Sequence, residues 1–275
     1  MFVYKRYKLQ EALINSLVRR WIFPLPLVLA LLSSLSSSYA AELPIVIAHI
    51  KPAIVGVGTF QRTRSPRARL LGTGFIVANG QYVVTNLHVV SRVLDDAHFE
   101  HYVVFVGRGP SPSFRQADIL TEDPVHDLAI LKIPGAPLPA LQLGDSNQVR
   151  EGQLYAFTGF PIGAVLGLYP VTHRGIISSI TPIVVPMDRS IQLTPEVIKR
   201  LRSPYNVFQL DATAYPGNSG SPLFDPGTGK VIAVVNMVFV KGTKESVLKD
   251  PSGITYAMPA RYVRALMRRA GIAEP

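Results

Sequence analysis

Short runs of β-branched and aromatic residues recur along this chain, and turn-forming residues separate them. Such runs are typical of strands, because these side chains pack well on a pleated surface. One dipeptide between two runs, Asn79-Gly80, favours a hairpin. The pattern therefore predicts an all-β barrel or sandwich rather than alternating strands and helices. The predicted strands are Ala53–Phe60, Leu71–Ala78, Gln81–Thr85, Tyr102–Val106, Leu128–Ile133, Gln153–Thr158, Val171–Ile180, Asn206–Ala212, Val231–Val240 and Gly253–Met258.

Helical patterns are few. Thr194-Pro195-Glu196 predicts the start of a short helix, because Thr caps helices and Pro fits their first turn. A second helix is predicted from Pro259 to Ala270, where apolar residues recur at helical spacing. That apolar face comprises Tyr262, Val263, Leu266 and Met267. The arginines of the same segment, which we interpret as a solvated face, are Arg261, Arg264, Arg268 and Arg269.

The first part of the chain has the three-part pattern of a secretory signal. A basic start is followed by an apolar run from Trp21 to Leu32 and by a small, polar stretch from Ser33 to Ala40. This pattern predicts cleavage after Ala40 and export, to the periplasm of a bacterium or beyond it. The apolar run is shorter than the roughly 20 residues that span a bilayer. An uncleaved membrane anchor at residues 21–32 is therefore the second possibility, and a membrane is expected as a partner only in that case.

Charge and cysteine content exclude several classes of protein. The chain of 275 residues has a formal net charge of +10, but much of that excess lies in residues 1–40. The basic cluster Arg62–Arg69 has no interleaved aromatic residues, so a nucleic-acid partner is not expected. The absence of cysteine excludes disulfides, and the core must supply the stability. We also expect no metal ion and no cofactor.

The stretch AYPGNSGSPLF, residues 214–224, places one serine in a tightly specified turn. Gly217 and Gly220 on either side of Ser219 indicate unusual backbone angles, which glycine adopts without steric cost. Such a turn can hold a hydroxyl forward and direct amide N–H groups at one point. It can equally be an ordinary hairpin loop.

Nucleophilic catalysis by serine needs a base and a third group that orients the base. His88 follows a predicted strand directly, in TNLHVV. Asp127 stands at the head of an apolar strand, in HDLAILKI, a poor place for a carboxylate without a partner. Taken singly, a buried histidine is more often a core residue and an aspartate before a strand is more often a turn former.

Together and in this order, TNLHVV, HDLAILKI and DATAYPGNSGSPL resemble the three catalytic motifs of trypsin-like serine proteases in their bacterial HtrA form. LGTGFIV, GFPIG, VTHRGIISSI and ITYAMPA extend the resemblance over about Leu43 to Ala260. It implies a chymotrypsin-like fold of two six-stranded antiparallel β-barrels, with the active site in the cleft between them and a short C-terminal helix. The barrels would occupy residues 42–138, with His and Asp, and 139–275, with Ser. No PDZ domain is expected in this sequence.

The resemblance also implies a role for individual residues. Ser219 would be the nucleophile, His88 the general base and then acid, and Asp127 the group that orients His88. The N–H groups of Gly217 and Ser219 would form the oxyanion hole. Ser221 stands where the family usually has glycine, and we interpret it as a tolerated substitution that faces away from the cleft.

The specificity pocket follows from the same comparison. Thr213 stands where trypsin carries an acidic residue, so a preference for Lys or Arg is not supported. The remaining wall is predicted from the Tyr256-Ala257 region and from three consecutive residues. These residues are Val235, Asn236 and Met237. We expect a small or medium apolar residue on the acyl side of the cut.

The sequence thus predicts an exported serine endopeptidase that hydrolyses peptide bonds of polypeptide substrates by acyl-enzyme chemistry. The alternative is a catalytically inactive binding or scaffold module with the same fold. The oligomeric state cannot be carried over from the family, since the segments 61–70 and 181–205 differ in length from those of relatives.

Overall fold

Residues 38–110, 112–161, 167–182, 204–236 and 255–274 are described by a computed structural model of the protein. By its internal contacts the chain divides into two units, Met1–Pro44 and Ile45–Pro275. The division falls within helix α1 (Ser38–Ile50), whose last residue leads through a 3-10 turn at Lys51–Ala53 into the first strand. All described strands belong to the second unit.

The first half of that unit is a seven-stranded antiparallel sheet in the order β5-β4-β1-β2-β3-β7-β6. Its strands are β1 (Ile54–Phe60), β2 (Ala68–Val77), β3 (Tyr82–Thr85), β4 (His101–Val106), β5 (Ser113–Gln116), β6 (Asp118–Asp123) and β7 (Leu128–Lys132). The sheet curves into a half-barrel, since its two end strands follow each other in the chain around Ala117. The resemblance implied six strands here. The chain bends at Ala117, whose N–H donates to the Tyr102 carbonyl at 3.0 Å, so one stretch of chain forms two strands, β5 and β6, at opposite ends of the sheet.

The second half is a closed barrel in the order β10-β13-β12-β11-β8-β9. Its strands are β8 (Leu154–Gly159), β9 (Val171–Pro182), β10 (Asn206–Leu210), β11 (Pro222–Phe224), β12 (Val231–Asn236) and β13 (Thr255–Pro259). Apolar side chains from these strands fill its interior, among them Phe157, Ile177, Phe208 and Leu223. Two β-sheets, one of them closed, and a terminal helix confirm the predicted fold class.

The sequence pattern located most strands and missed three. Each predicted run contains a strand within the described residues, and the Asn79-Gly80 hairpin is present between β2 and β3. The missed strands are β5, β6 and β11. β5 and β6 are edge strands with largely exposed side chains, so no apolar alternation marks them. The predicted helix at Thr194 and the predicted end of a strand at 237–240 lie outside the described residues.

The C-terminal helix α3 (Ala260–Arg269) confirms the second predicted helix. Val263, Leu266 and Met267 are buried as its apolar face requires. The interpretation of its arginines as a solvated face is wrong for Arg264, which donates to the backbone carbonyls of Gly144 and Leu143 at 2.9 and 2.8 Å. Arg269 has an exposed side chain, as interpreted, and it also binds the buried Asp123 at 2.8 Å.

The basic cluster Arg62–Arg69 also contains a structural arginine. Arg64 binds the buried carboxylate of Glu100 at 2.6 Å and donates to the carbonyl and hydroxyl oxygens of Thr59. Burial alone would raise the pKa of Glu100, but hydrogen bonds from Thr59, Arg64 and the Asp95 N–H outweigh it and lower this pKa to about 2. The charged form of Glu100 therefore stabilises the folded state.

Glu100→Gln should destabilise the protein at neutral pH and make its stability less sensitive to acid. The folded-state pKa of Glu100 lies below its ordinary value, so its contribution is complete above about pH 4.5 and is lost as the pH falls toward 2. We expect the free energy of unfolding at pH 7 to fall by about 2 kcal/mol. Urea unfolding measured between pH 7 and pH 2 checks this.

Asp118→Asn is the matched control, since Asp118 is an exposed carboxylate on β6. It should leave the free energy of unfolding nearly unchanged across that pH range. An equal effect of the two substitutions would contradict the role given to Glu100.

Candidate active site

His88 and Asp127 meet at the ends of two neighbouring strands of the half-barrel. β3 leads through Asn86 into a short helix, α2 (Leu87–Val90), which carries His88. Asp127 directly precedes β7, which pairs with β3. His88 Nδ1 lies 2.6 Å from Asp127 Oδ2, and the His88 backbone N–H donates to Asp127 Oδ1 at 2.9 Å. Since a carboxylate only accepts, Nδ1 carries the proton and Nε2 is left to act as a base.

The backbone of Asp127 adopts the left-handed region, with a φ of 52°. Few non-glycine residues do so, and the conformation persists only where the surroundings enforce it. Here the Asp127 carbonyl accepts from the Leu87 N–H at 3.1 Å and from the Asn86 amide at 3.0 Å. The carboxylate and the carbonyl of one residue thus both bind the segment that carries His88.

Ser219 lies in a turn between two glycines of positive φ, Gly217 at 100° and Gly220 at 89°. Its position depends on Thr73 of β2, which is fully buried. The Thr73 N–H donates to the Ser219 carbonyl at 2.9 Å, and the Thr73 hydroxyl donates to the Gly217 carbonyl at 2.7 Å. The same hydroxyl accepts from the Phe160 N–H at 3.0 Å. The half-barrel therefore holds the serine turn of the closed barrel on both sides of Ser219.

The backbone N–H groups of residues 217–220 in this turn differ in whether the protein supplies an acceptor. The N–H groups of Asn218 and Gly220 donate to the carbonyls of Tyr215 and Val235, at 2.9 and 3.0 Å. Within the described part of the chain, the N–H groups of Gly217 and Ser219 donate to no other residue. The Gly217 and Ser219 N–H groups are thus two backbone donors without a protein acceptor among the described residues.

The segments that carry Ser219 and His88 approach each other, but no hydrogen bond joins the side chains of these two residues among the described residues. Gly72 shows how close the two segments are. A Cβ at Gly72 would lie 2.8 Å from the side chain of Val89, the residue after His88, and 3.0 Å from the Ser219 carbonyl. Bonds between nucleophile and base are often long without substrate. The serine turn and the histidine helix thus pack on the same residue of β2.

Comparison with known proteins agrees with this geometry. Residues 72–234, more than half of the chain, match the trypsin-like peptidase domain. The chain belongs to the trypsin-like peptidase family. Its HtrA/Deg character appears in the curated relatives. One of them is a "Probable periplasmic serine endoprotease DegP-like" of Pseudomonas putida (strain W619). It is 33% identical to this chain over 187 residues, which are 66% of this chain and 33% of that protein. A protein of the same description from Rickettsia prowazekii (strain Madrid E) is 31% identical over 207 residues, 75% of this chain and 34% of that protein.

Solved structures give the same family. The HtrA-type protease AlgW, determined with a tripeptide, superposes with a TM-score of 0.59 and 26% identity, covering 82% of this chain and 62% of that chain. This trypsin-like domain of HtrA type spans about a third of the length of the curated relatives it matches. Among the described residues, no helix has the length and apolar character needed to cross a membrane.

Asn236, which the sequence analysis assigned to the specificity pocket, also contacts the candidate triad in this trypsin-like domain. Asn236 Nδ2 donates to Asp127 Oδ2 at 2.7 Å, and the residue is 1% exposed. Asn236 ends β12 of the closed barrel, so both sheets supply a donor to the Asp127 carboxylate. This hydrogen bond could not be predicted from sequence, because 109 residues separate Asn236 from Asp127.

The other predicted pocket residues are only partly described. Val235 is fully buried among the apolar side chains of the closed barrel. Thr213 is half-buried in the segment between β10 and the serine turn. Met237 lies outside the described residues.

Ser221 is turned into the protein, as predicted for a substitution that avoids the cleft. It is fully buried, and a Cβ at Gly159 would lie only 2.0 Å from its hydroxyl oxygen. Within the described chain neither this hydroxyl nor the buried side-chain amide of Asn218 has a hydrogen-bond partner. The room for Ser221 therefore comes from Gly159, in the GFPIG stretch.

Among the described residues, no cluster of three or more His, Cys, Asp or Glu side chains could hold a metal ion.

Thr73→Val should destabilise the protein because it removes a buried hydroxyl and keeps its shape. The Gly217 carbonyl and the Phe160 N–H would each lose a hydrogen-bond partner. We expect the free energy of unfolding to fall by about 1 to 3 kcal/mol, as measured by urea denaturation. Thr73→Ser keeps the hydroxyl and should lose clearly less. Equal losses in the two variants would show that packing of the methyl group, rather than the hydroxyl, matters at this position.

Proposed function

We propose that this chain is an exported serine endopeptidase that cleaves polypeptides through an acyl-enzyme, with Ser219, His88 and Asp127 as its catalytic triad. The observation that carries the proposal is the 2.6 Å contact between His88 Nδ1 and Asp127 Oδ2. It is accompanied by a serine turn whose Gly217 and Ser219 N–H groups have no acceptor among the described residues. Membership of a peptidase family supports it, as do the named activities of the relatives.

Acylation uses every part of this arrangement. His88 Nε2 takes the proton of Ser219 Oγ as that oxygen attacks the carbonyl carbon of the scissile bond. Asp127 accepts the Nδ1–H bond and stabilises the imidazolium that forms. The carbonyl oxygen becomes an oxyanion, which the N–H groups of Gly217 and Ser219 bind. His88 then gives its proton to the leaving amine, and the C–N bond breaks.

Deacylation repeats the sequence with water. His88 takes a proton from a water molecule, which attacks the ester carbon, and the same two N–H groups stabilise the second oxyanion. His88 returns the proton to Ser219 Oγ as the peptide acid leaves. One donor of this kind contributes roughly 3 kcal/mol to transition-state stabilisation, which explains why the turn conformation is supported so closely by Thr73.

The substrates we propose are polypeptide segments with a small or medium apolar residue on the acyl side of the cut. Thr213 offers no negative charge to a Lys or Arg side chain. The structural neighbour AlgW was determined with a tripeptide and with a decapeptide, which is consistent with an extended substrate. Identification of the pocket residues by family comparison, Thr213, Val235, Asn236 and Met237, remains part of this proposal.

Export is proposed on the signal pattern in residues 1–40 and on the periplasmic description of the relatives. Helix α1 contains Pro44. In a chain that begins at Ala41 after cleavage, Pro44 falls in the first turn of this helix, where the missing N–H has no cost. The position of Pro44 therefore supports removal of residues 1–40.

Ser219→Ala should remove most of the turnover of a peptide substrate, by around a millionfold in the chemical step, while the unfolding curve is unchanged. In the parent protein a fluorophosphonate should label Ser219. Ser221→Ala is the matched control, because Ser221 is a buried serine two residues away. It should keep both labelling and turnover.

The same experiment tests the alternative function. That alternative is a catalytically inactive binding or scaffold module with the same fold. A folded parent protein that takes no label on Ser219, or a Ser219→Ala variant that cleaves as fast as the parent, would exclude the proposed peptidase mechanism.

A further inference from the structure

The hairpin that carries Asp127 is closed by the side chain of another aspartate. Asp123 ends β6, pairs with Leu128 at the start of β7 and is 5% exposed. Its Oδ1 accepts the N–H groups of Val125 and His126, each at 3.2 Å. These bonds shape the loop between the strands, and Asp127, with its φ of 52°, is the last residue of that loop. Asp123 therefore stabilises the conformation of the loop that leads to Asp127.

The C-terminal helix α3 holds this hairpin at two points. Arg269 donates to Asp123 Oδ2 at 2.8 Å. Tyr262 stacks on the ring of His126 at 3.9 Å between centroids, with 17° between the planes. Tyr262 and Arg269 are two helical turns apart and thus lie on one face of the helix. A single face of α3 consequently contacts both ends of the loop.

His126 joins these two contacts. Its Nδ1 lies 2.9 Å from Asp123 Oδ2, the same oxygen that Arg269 binds. The ring also meets Tyr205 edge to face at 4.6 Å, and the Tyr205 hydroxyl donates to the Val125 carbonyl at 2.6 Å. His126 is therefore enclosed by aromatic rings on one side and by the Asp123 carboxylate on the other.

The charge of Asp123 is retained in this buried setting. Burial would raise its pKa, but hydrogen bonds from His126 and Arg269 outweigh that effect and lower the pKa below its ordinary range. An ionised acceptor makes stronger hydrogen bonds than a neutral one. The negative charge of Asp123 thus strengthens both its hydrogen bonds from the loop N–H groups and its hydrogen bond from Arg269.

We propose that Asp123, His126 and Arg269 form a positioning network through which the C-terminal helix holds Asp127 in hydrogen-bonding contact with His88. This inference rests on the proposed triad. The network touches neither substrate nor the reacting atoms and acts only through Asp127. Its loss lets the left-handed conformation of Asp127 relax, and the carboxylate then orients His88 less well.

Arg269→Met in the full chain tests the network. We expect kcat to fall about tenfold with KM within about twofold, since a poorly oriented base affects the chemical step rather than substrate binding. The acidic limb of the plot of kcat/KM against pH should move to lower pH, because His88 loses part of the carboxylate that stabilises its protonated form. Arg269→Lys keeps the positive charge and should recover part of the rate.

Arg264→Met is the matched control. Arg264 lies on the same helix and also docks its guanidinium, but on the carbonyls of Gly144 and Leu143 rather than on the Asp127 hairpin. It should lower stability without moving the acidic limb. An unchanged kcat and acidic limb in Arg269→Met, or equal changes in the two methionine variants, would overturn the inference.

A measurement that needs no turnover separates this inference from the proposed function. In the Ser219→Ala protein, the proton on His88 Nδ1 should give a low-field NMR signal because of its short bond to Asp127. Arg269→Met should shift this signal upfield or broaden it, and Arg264→Met should not. The signal can respond as expected even if the protein proves to be an inactive binding module. An identical signal in all three proteins would overturn the inference alone.

Discussion

The arrangement of this domain depends on one buried residue at the joint between its two sheets. Thr73 belongs to the half-barrel, yet its N–H and its hydroxyl bind the carbonyls of Ser219 and Gly217 in the closed barrel. Its own carbonyl accepts from Thr85 on β3, the strand that leads to His88. The serine turn and the histidine helix are therefore positioned by the same residue, and neither sheet could bring them together alone.

A second set of contacts between the sheets meets at Asp127. His88, from the half-barrel, and Asn236, from the closed barrel, both bind its carboxylate. The Asp127 side chain is 15% exposed, and burying much of a carboxylate is costly unless hydrogen bonds satisfy its oxygens, so these partners offset the cost of its position. The unusual φ of Asp127 is maintained at the same point by Asp123 and the C-terminal helix. The helix thus belongs to the support of the proposed site as well as to the apolar core.

The proposed catalytic residues could be predicted from sequence for a reason that does not apply to the residues that support them. Ser219 and Asp127 stand in sequence surroundings that local structure alone does not explain, a turn with two glycines and a carboxylate before an apolar strand. Thr73 carries no such mark, because a threonine in a strand is ordinary. Arg269 was interpreted as solvated from its helical spacing, since spacing reports which face of a helix is apolar but not which polar residue meets a buried partner.

The sequence by itself determined the local elements of this protein: strands at the runs of branched side chains, the hairpin at Asn79-Gly80 and the terminal helix. These follow from interactions between residues close in the chain. Tertiary structure alone decided that Asn236 binds Asp127, that Ser221 fits because position 159 is glycine, and that Arg269 closes the hairpin of Asp127. Each of these contacts joins residues more than sixty positions apart, and hydrogen bonds at such separations depend on how the sheets and the helix pack, which no local pattern records.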